Sequence, residues 1–327
     1  MSSSLVSRRR FLETVGLAAS TTLVGSFLLQ ARQGNAASSY TRRDIGTLST
    51  TSSTVLSYKK AIAAMKALPD DNPLSWTYQA AIHGTTLPGS QPAWNTCKHG
   101  TYFFFSWHRM YLWYFERIVR KLSGDSNWAL PYWNYGSTRQ RRLPTVFRSP
   151  ANASNPLYVT NRGSGWNAGT SSLNASAVDT VVALAEVPFN DFSSSLEGTP
   201  HGAVHVSIGG LMGSVPTAAQ DPIFWLHHCN IDRLWNIWLA QGGGRTDPLS
   251  DSSWRSRSFW TKNNAKEFVG KISEVISGSN WSKNILHKTR TKIGLSSTAN
   301  WHITGVIQPL LRAESPTPRW DFCPPSR

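Results

Sequence analysis

The sequence predicts a mainly α-helical fold with long irregular loops and few short strands. Two long segments carry that expectation. In Tyr102–Leu122 and Asp221–Trp238, apolar and aromatic residues recur at helical spacing. Each ends on glycine, at Ser123-Gly124 and at Gly242-Gly243-Gly244. Between them, from about Arg148 to Ser195, the composition shifts to Ser, Asn, Thr and Gly, as in long surface loops. No repeat of solenoid period is visible.

Residues 1–37 read as a leader outside the fold. Ser7-Arg8-Arg9-Arg10-Phe11-Leu12 is a twin-arginine signal, and the apolar run Val15–Leu29 is too short to span a bilayer. Small residues around Asn35-Ala36-Ala37 place cleavage near residue 37. Export to the periplasm or the medium is expected, with no membrane span in the mature chain.

The first helix is expected over Ser57–Leu68, with Ala61, Ala64, Met65 and Leu68 on one side. A second starts at Pro73-Leu74-Ser75-Trp76 and runs to His83, where Gly84 and Pro88-Gly89 end it. Asn95–Gly100 reads as a loop. Tyr102–Leu122 is apolar over much of its surface, so it should lie centrally. His201–Ile208 reads as a helix closed by Gly209-Gly210. Asp221 is placed to cap the next helix, with Pro222 at its first position. From about Lys266 the signals mix, and the chain ends in the proline-rich stretch Ser315–Arg327. The expected organisation is therefore a leader (1–37), a main domain (38–265) and a C-terminal extension (266–327).

The chain has 327 residues and a formal charge of +15. Loss of the leader, with four arginines and one glutamate, leaves +12. Basic side chains are scattered apart from Arg139–Arg142 and the 283–292 region, and no nucleic-acid fold motif accompanies them. A nucleic-acid partner is not expected. The 15 Trp, 13 Phe and 9 Tyr are mostly expected in the core. Three cysteines, Cys97, Cys229 and Cys323, are too few for a disulfide framework. Nothing in the sequence sets the oligomeric state.

Six of the nine histidines fall into two trios: His83, His99 and His108, then His201, His205 and His228. Neutral imidazole is a ligand of copper and zinc. Two trios suggest two metal ions, each with room left for an exogenous ligand. His201 and His205 stand four apart, on one helical face. Zinc proteases share that spacing but need a Glu after the first His, and here Gly202 stands there, which removes the protease reading. His227, beside His228, points about 100° away round the helix and is left out of the trio.

The flanking residues resemble the tyrosinase family of type-3 copper proteins from roughly Arg42 to Gln241. Cys97-Lys98-His99 through Trp107-His108-Arg109-Met110-Tyr111-Leu112 is similar to the family's first copper motif. Asp221-Pro222-Ile223-Phe224-Trp225-Leu226-His227-His228 through Ile231-Asp232-Arg233-Leu234-Trp235 is similar to the second, and Pro131-Tyr132-Trp133 fits between them. The resemblance implies a central four-helix bundle holding two copper ions, one on each trio, with O2 as co-substrate and small phenols as partners. It implies hydroxylation of monophenols and oxidation of o-diphenols to o-quinones.

The same resemblance implies roles for further residues. Cys97 would form a thioether with His99. Glu197 would hold a water able to accept a phenol's proton. Phe224 would pack beside the metals, and Met212 and Val215, with Gly209 and Gly210, would line the substrate entrance. Asn230 and Asp232 are expected to orient ligand rings by hydrogen bonds. Two positions depart from the family pattern. Gly202 stands where many efficient hydroxylases carry Asn, and Asn134 stands where the family often has Asp after Pro-Tyr-Trp. Gly202 keeps a catechol or o-aminophenol oxidase with weak hydroxylation as an alternative. A haemocyanin-like oxygen carrier is the remote one.

Overall fold

The computed structural model describes residues 40–89, 91–263 and 266–271. The leader and most of the C-terminal extension lie outside these residues. Nine α-helices are described: α1 (Ser53–Lys66), α2 (Trp76–His83), α3 (Phe104–Ser123), α4 (Val181–Ala185), α5 (Phe189–Leu196), α6 (Ala203–Ile208), α7 (Val215–Ala218), α8 (Ile223–Ala240) and α9 (Ser252–Arg255). The described strands are β1 (Ser258–Asn263) and β2 (Lys266–Lys271), an antiparallel hairpin pairing Ser258 with Lys271 and Asn263 with Lys266. The mainly helical expectation holds. The expected boundary after residue 265 lies between β1 and β2.

α3 and α8 are buried on nearly every side, which their apolar, aromatic-rich sequences require. They meet through large rings. Phe115 stacks on Trp225 with centroids 3.6 Å apart, and Phe105 lies 5.1 Å from Trp235. α1 covers the other side of α3, where Tyr58 sits 6.4 Å from Phe115. α3 ends where Gly124 takes a left-handed conformation (φ 78°) and gives its N–H to the Arg120 carbonyl. Ser75 caps α2 by accepting the Tyr78 N–H. At α8 the Asp221 carboxylate accepts the Ile223 N–H at 3.1 Å, the bond expected of its cap.

An ion network ties the start of the domain to this core. The Arg42 guanidinium reaches Glu116 on α3 at 3.0 Å and Asp232 on α8 at 2.7 Å. Arg109 completes it, bonding Asp232 and lying 3.6 Å over the Trp235 ring.

The structure corrects the loop reading of 148–195. α4 and α5 lie at its end. Phe189, Phe192 and Leu196 have helical spacing and bury one face of α5, which the surrounding serines masked. α1 begins four residues earlier than expected and ends two earlier. His201 is not in a regular helix. Glu197–Gly202 forms a wider turn, extended at Thr199 (φ −138°, ψ 124°), and the α-helix resumes at Ala203.

Candidate metal centre

The histidines converge from four helices and two connecting segments. His83 ends α2, His108 lies in α3, His205 in α6 and His228 in α8. His99 comes from the loop before α3, and His201 from the wide turn before α6. The donor atoms of His83, Cys97, His99 and His108 lie within 4.8 Å of one another, and so do those of His201, His205, His227 and His228. Either group could hold a metal ion. The groups face each other: His108 stacks on His228 with centroids 4.3 Å apart and planes 7° apart, and His99 lies 5.6 Å from His201.

Main-chain carbonyls set the rings. Nδ1 of His83 donates to Val215 O at 3.0 Å, and that of His108 to Phe104 O at 2.8 Å. Nδ1 of His201 donates to Glu197 O at 2.9 Å, and that of His205 to Met212 O at 2.8 Å. A carbonyl has no proton to give, so Nδ1 carries the proton and Nε2 the lone pair. Nε2 of His83 and of His201 is buried without a hydrogen-bond partner. An orphaned buried acceptor is costly unless something takes its lone pair. Nε2 of His205 and of His228 stand 3.4 Å apart, converging on one point, as a shared cation would require. These residues therefore fit a metal pair bound through Nε2. Burial holds His83, His108, His201 and His228 well below the ordinary histidine range and brings His205 down to about 4. Neutral imidazole is the form that binds metal.

Cys97 Sγ lies 3.3 Å from His108 Nε2 and 3.6 Å from His99 Nδ1. Burial, with the Glu197 carboxylate nearby, raises its thiol well above the usual range, so the sulfur is held protonated. Glu197 accepts the Gly100 N–H at 2.7 Å and so joins the His99 loop to the turn carrying His201. Burial raises its carboxyl above the usual range.

The other predicted residues divide. Phe224 is fully buried between the trios, 4.8 Å from His83 and 4.2 Å from His228. Met212 is buried, while Val215 is 47% exposed. Gly202 has helical dihedrals (φ −62°, ψ −38°), so its backbone does not demand glycine. The ring-orienting role expected of Asp232 is not what the structure shows: its two oxygens are taken by Arg42 and Arg109. Asn230 accepts from Arg233 at 3.2 Å and also bonds Tyr135, whose hydroxyl meets His227. His227 Nδ1 meets the Tyr135 hydroxyl at 3.1 Å, its Nε2 is buried without a hydrogen-bond partner, and the residue lies in the second group of possible ligands.

Two facing histidine groups inside a helical fold form a candidate site for a pair of metal ions. The family model described as the common central domain of tyrosinase matches residues 73–172 and 151–241. A tyrosinase from Hahella sp. (strain CCB-MM4) is 37% identical over 257 residues, covering 62% of this chain and 54% of that protein. A chloroplastic polyphenol oxidase of Malus domestica is 34% identical over 256 residues, covering 65% and 42%. Among solved structures, latent apple tyrosinase superposes with a TM-score of 0.63 at 30% identity, covering 75% of this chain and 62% of that one. A Vitis vinifera polyphenol oxidase gives 0.63 at 27%, covering 75% and 84%. The chain belongs to the tyrosinase family, a family of copper oxidoreductases acting on phenols. It spans about half the length of the curated relatives it matches.

Proposed function

We propose that this chain is a dicopper phenol oxidase that uses O2 to hydroxylate monophenols to o-diphenols and to oxidise o-diphenols to o-quinones. The observation that carries the reading is the pair of facing trios, four of whose rings have Nδ1 bound to carbonyls and Nε2 turned inward. His83, His99 and His108 would hold one copper, and His201, His205 and His228 the other. The copper pair would supply the redox chemistry with O2. The chain's part is to fix the six rings, exclude water with Phe224 and Met212, and receive the phenol's proton near Glu197. Its raised carboxyl suits it to proton exchange near neutral pH better than an ordinary glutamate. Among the described residues no helix is long and apolar enough to cross a membrane. Export by the twin-arginine route belongs to the same proposal and rests on Arg8-Arg9-Arg10 and the apolar run after it.

Gly202 favours a second reading, a catechol oxidase with weak hydroxylation, because no side chain there can help hold a water beside Glu197. The deciding measurement is the rate on a monophenol against its catechol, at full copper loading, for the natural chain and for Gly202→Asn. A Cβ at Gly202 would lie 3.3 Å from Glu197 O, the acceptor of His201 Nδ1–H, so the new side chain must fit closely. Asparagine should raise the monophenol-to-diphenol ratio several-fold. A ratio that stays level, with copper still bound, would sink this account of Gly202. Reversible O2 binding without turnover of either phenol would favour a carrier instead.

We also propose the Cys97–His99 thioether. The proximity of Sγ to the His99 ring supports it. The raised thiol argues that the bond forms only with copper and oxidant present, since the protonated sulfur is a poor nucleophile. After copper loading in air, the proteolytic peptide holding both residues should be lighter by two hydrogens. An unchanged mass, with a thiol still open to alkylation, would refute the bond.

A further inference from the structure

We propose that the segment Gly209–Pro216 is a backbone clamp that orients one histidine of each trio, and that Gly84 is the positioning residue that seats it. This rests on the dicopper reading above. Two carbonyls of one short segment serve both groups: Met212 O accepts from His205, and Val215 O from His83. Both rings need those acceptors to keep Nε2 turned inward. Displacing the segment would therefore loosen a ligand in each trio at once.

The segment is fastened along its length. The Gly163 N–H reaches Ile208 O at 2.8 Å, just before it, and the Leu211 N–H reaches Asn161 O at 3.0 Å. Just after it, the Thr217 hydroxyl donates to Leu211 O at 2.8 Å, closing the segment on itself. Gly210 sits at φ +54°, where a Cβ would come 2.3 Å from Asn161 O, so at this point the backbones touch.

Gly84 presses on the far end. A Cβ there would lie 2.9 Å from Val215 O and 3.0 Å from Pro216 Cα, both of them backbone atoms. Its φ of −175° is extended and open to any residue. Glycine is thus required for space and not for conformation. The atom a side chain would strike first is the carbonyl that His83 uses. Gly84 follows His83 directly, so the ligand and the seat of its acceptor are neighbours in sequence. Val215 is half-exposed, while its carbonyl points at the ring. One residue thus joins the surface of the site to the geometry of the first trio.

The test is titration of copper(I) into the metal-free full-length protein against a chromophoric chelator, with the melting temperature of the metal-free form measured alongside. The natural chain should take two coppers. Gly84→Ala should keep its melting temperature within a few degrees and bind one of the two about 10–100-fold more weakly, the usual cost of losing a group that orients a ligand. Val182→Ala, at a position outside the segment that is 68% exposed, should leave both affinities unchanged. Thr217→Val frees Leu211 O without touching a histidine, so it should weaken copper binding, and Thr217→Ser should restore it. If Gly84→Ala folds and both affinities stay within twofold, the clamp is wrong. If Gly84→Ala does not fold, Thr217→Val decides: unchanged copper affinity there overturns the proposal. A natural chain that takes up no copper would instead overturn the metal reading, an outcome separable from failure of the clamp alone.

Discussion

Replacing His108 or His228 with Ala should halve the copper bound per chain and cut phenol oxidation by more than about 100-fold. That bound comes from the 10–100-fold that loss of a mere orienting partner costs in metal sites; a ligand itself should cost more. The two residues are informative together because their rings stack at 4.3 Å, each the point of its own trio nearest the other. Removing His108 also deprives Cys97 Sγ of its nearest ring nitrogen. His227→Ala is the contrasting case. If His228 is the ligand and His227 only its neighbour, His227→Ala should keep both coppers while removing one partner of the Tyr135 hydroxyl. Copper content by elemental analysis and catechol turnover would be read on the same samples. Full activity in His108→Ala with normal folding would end the dicopper account. Loss of one copper in His227→Ala would move the fourth nitrogen of the second group into the ligand set.

The long helices and the two histidine trios were legible because each leaves a mark in residue type. Apolar periodicity marks α3 and α8, and histidine is rare enough for its clustering to stand out. What supports the ligands was not legible. Four rings are set by carbonyls of Val215, Phe104, Glu197 and Met212, and any residue has a carbonyl. Only side-chain acceptors such as Asp232 and Asn230 stand out in residue type. Arg42, 190 positions away, claims Asp232, a partner no local pattern announces. α5 was hidden for a related reason: its three buried apolar residues hold their spacing among serines. A sign of the Gly84 contact is visible only after the fold is known, because its φ is ordinary and its requirement is a backbone that arrives from α7.

Breaking the Arg162–Asp221 pair should destabilise the metal-free protein by about 3–5 kcal/mol, the range for uncovering one charge of a buried pair. Both side chains are fully buried. Every N–H of Arg162 is used: two bonds of 2.7 Å to Asp221, with Phe147 O, Asn167 Oδ1 and Leu157 O taking the rest. Asp221 in turn caps α8 through the Ile223 N–H. The pair thus fixes the long irregular region to the helix that carries His228, and Asn161, which holds Leu211, is the adjacent residue. Arg162→Met leaves a buried carboxylate without its cation, and Asp221→Asn leaves a buried guanidinium without its anion. Each should shift the denaturant midpoint and lower the melting temperature by about 2–4 °C per kcal/mol for a domain of this size. The double variant Arg162→Met, Asp221→Leu should cost much less than the two single changes combined, because no charge is stranded. Additive costs, or single variants within about 1 kcal/mol of the natural chain, would show that the pair is not what anchors α8. Copper affinity offers an independent check: it should fall in both single variants along with stability, since the cap of α8 and the acceptor of Leu211 move with Arg162.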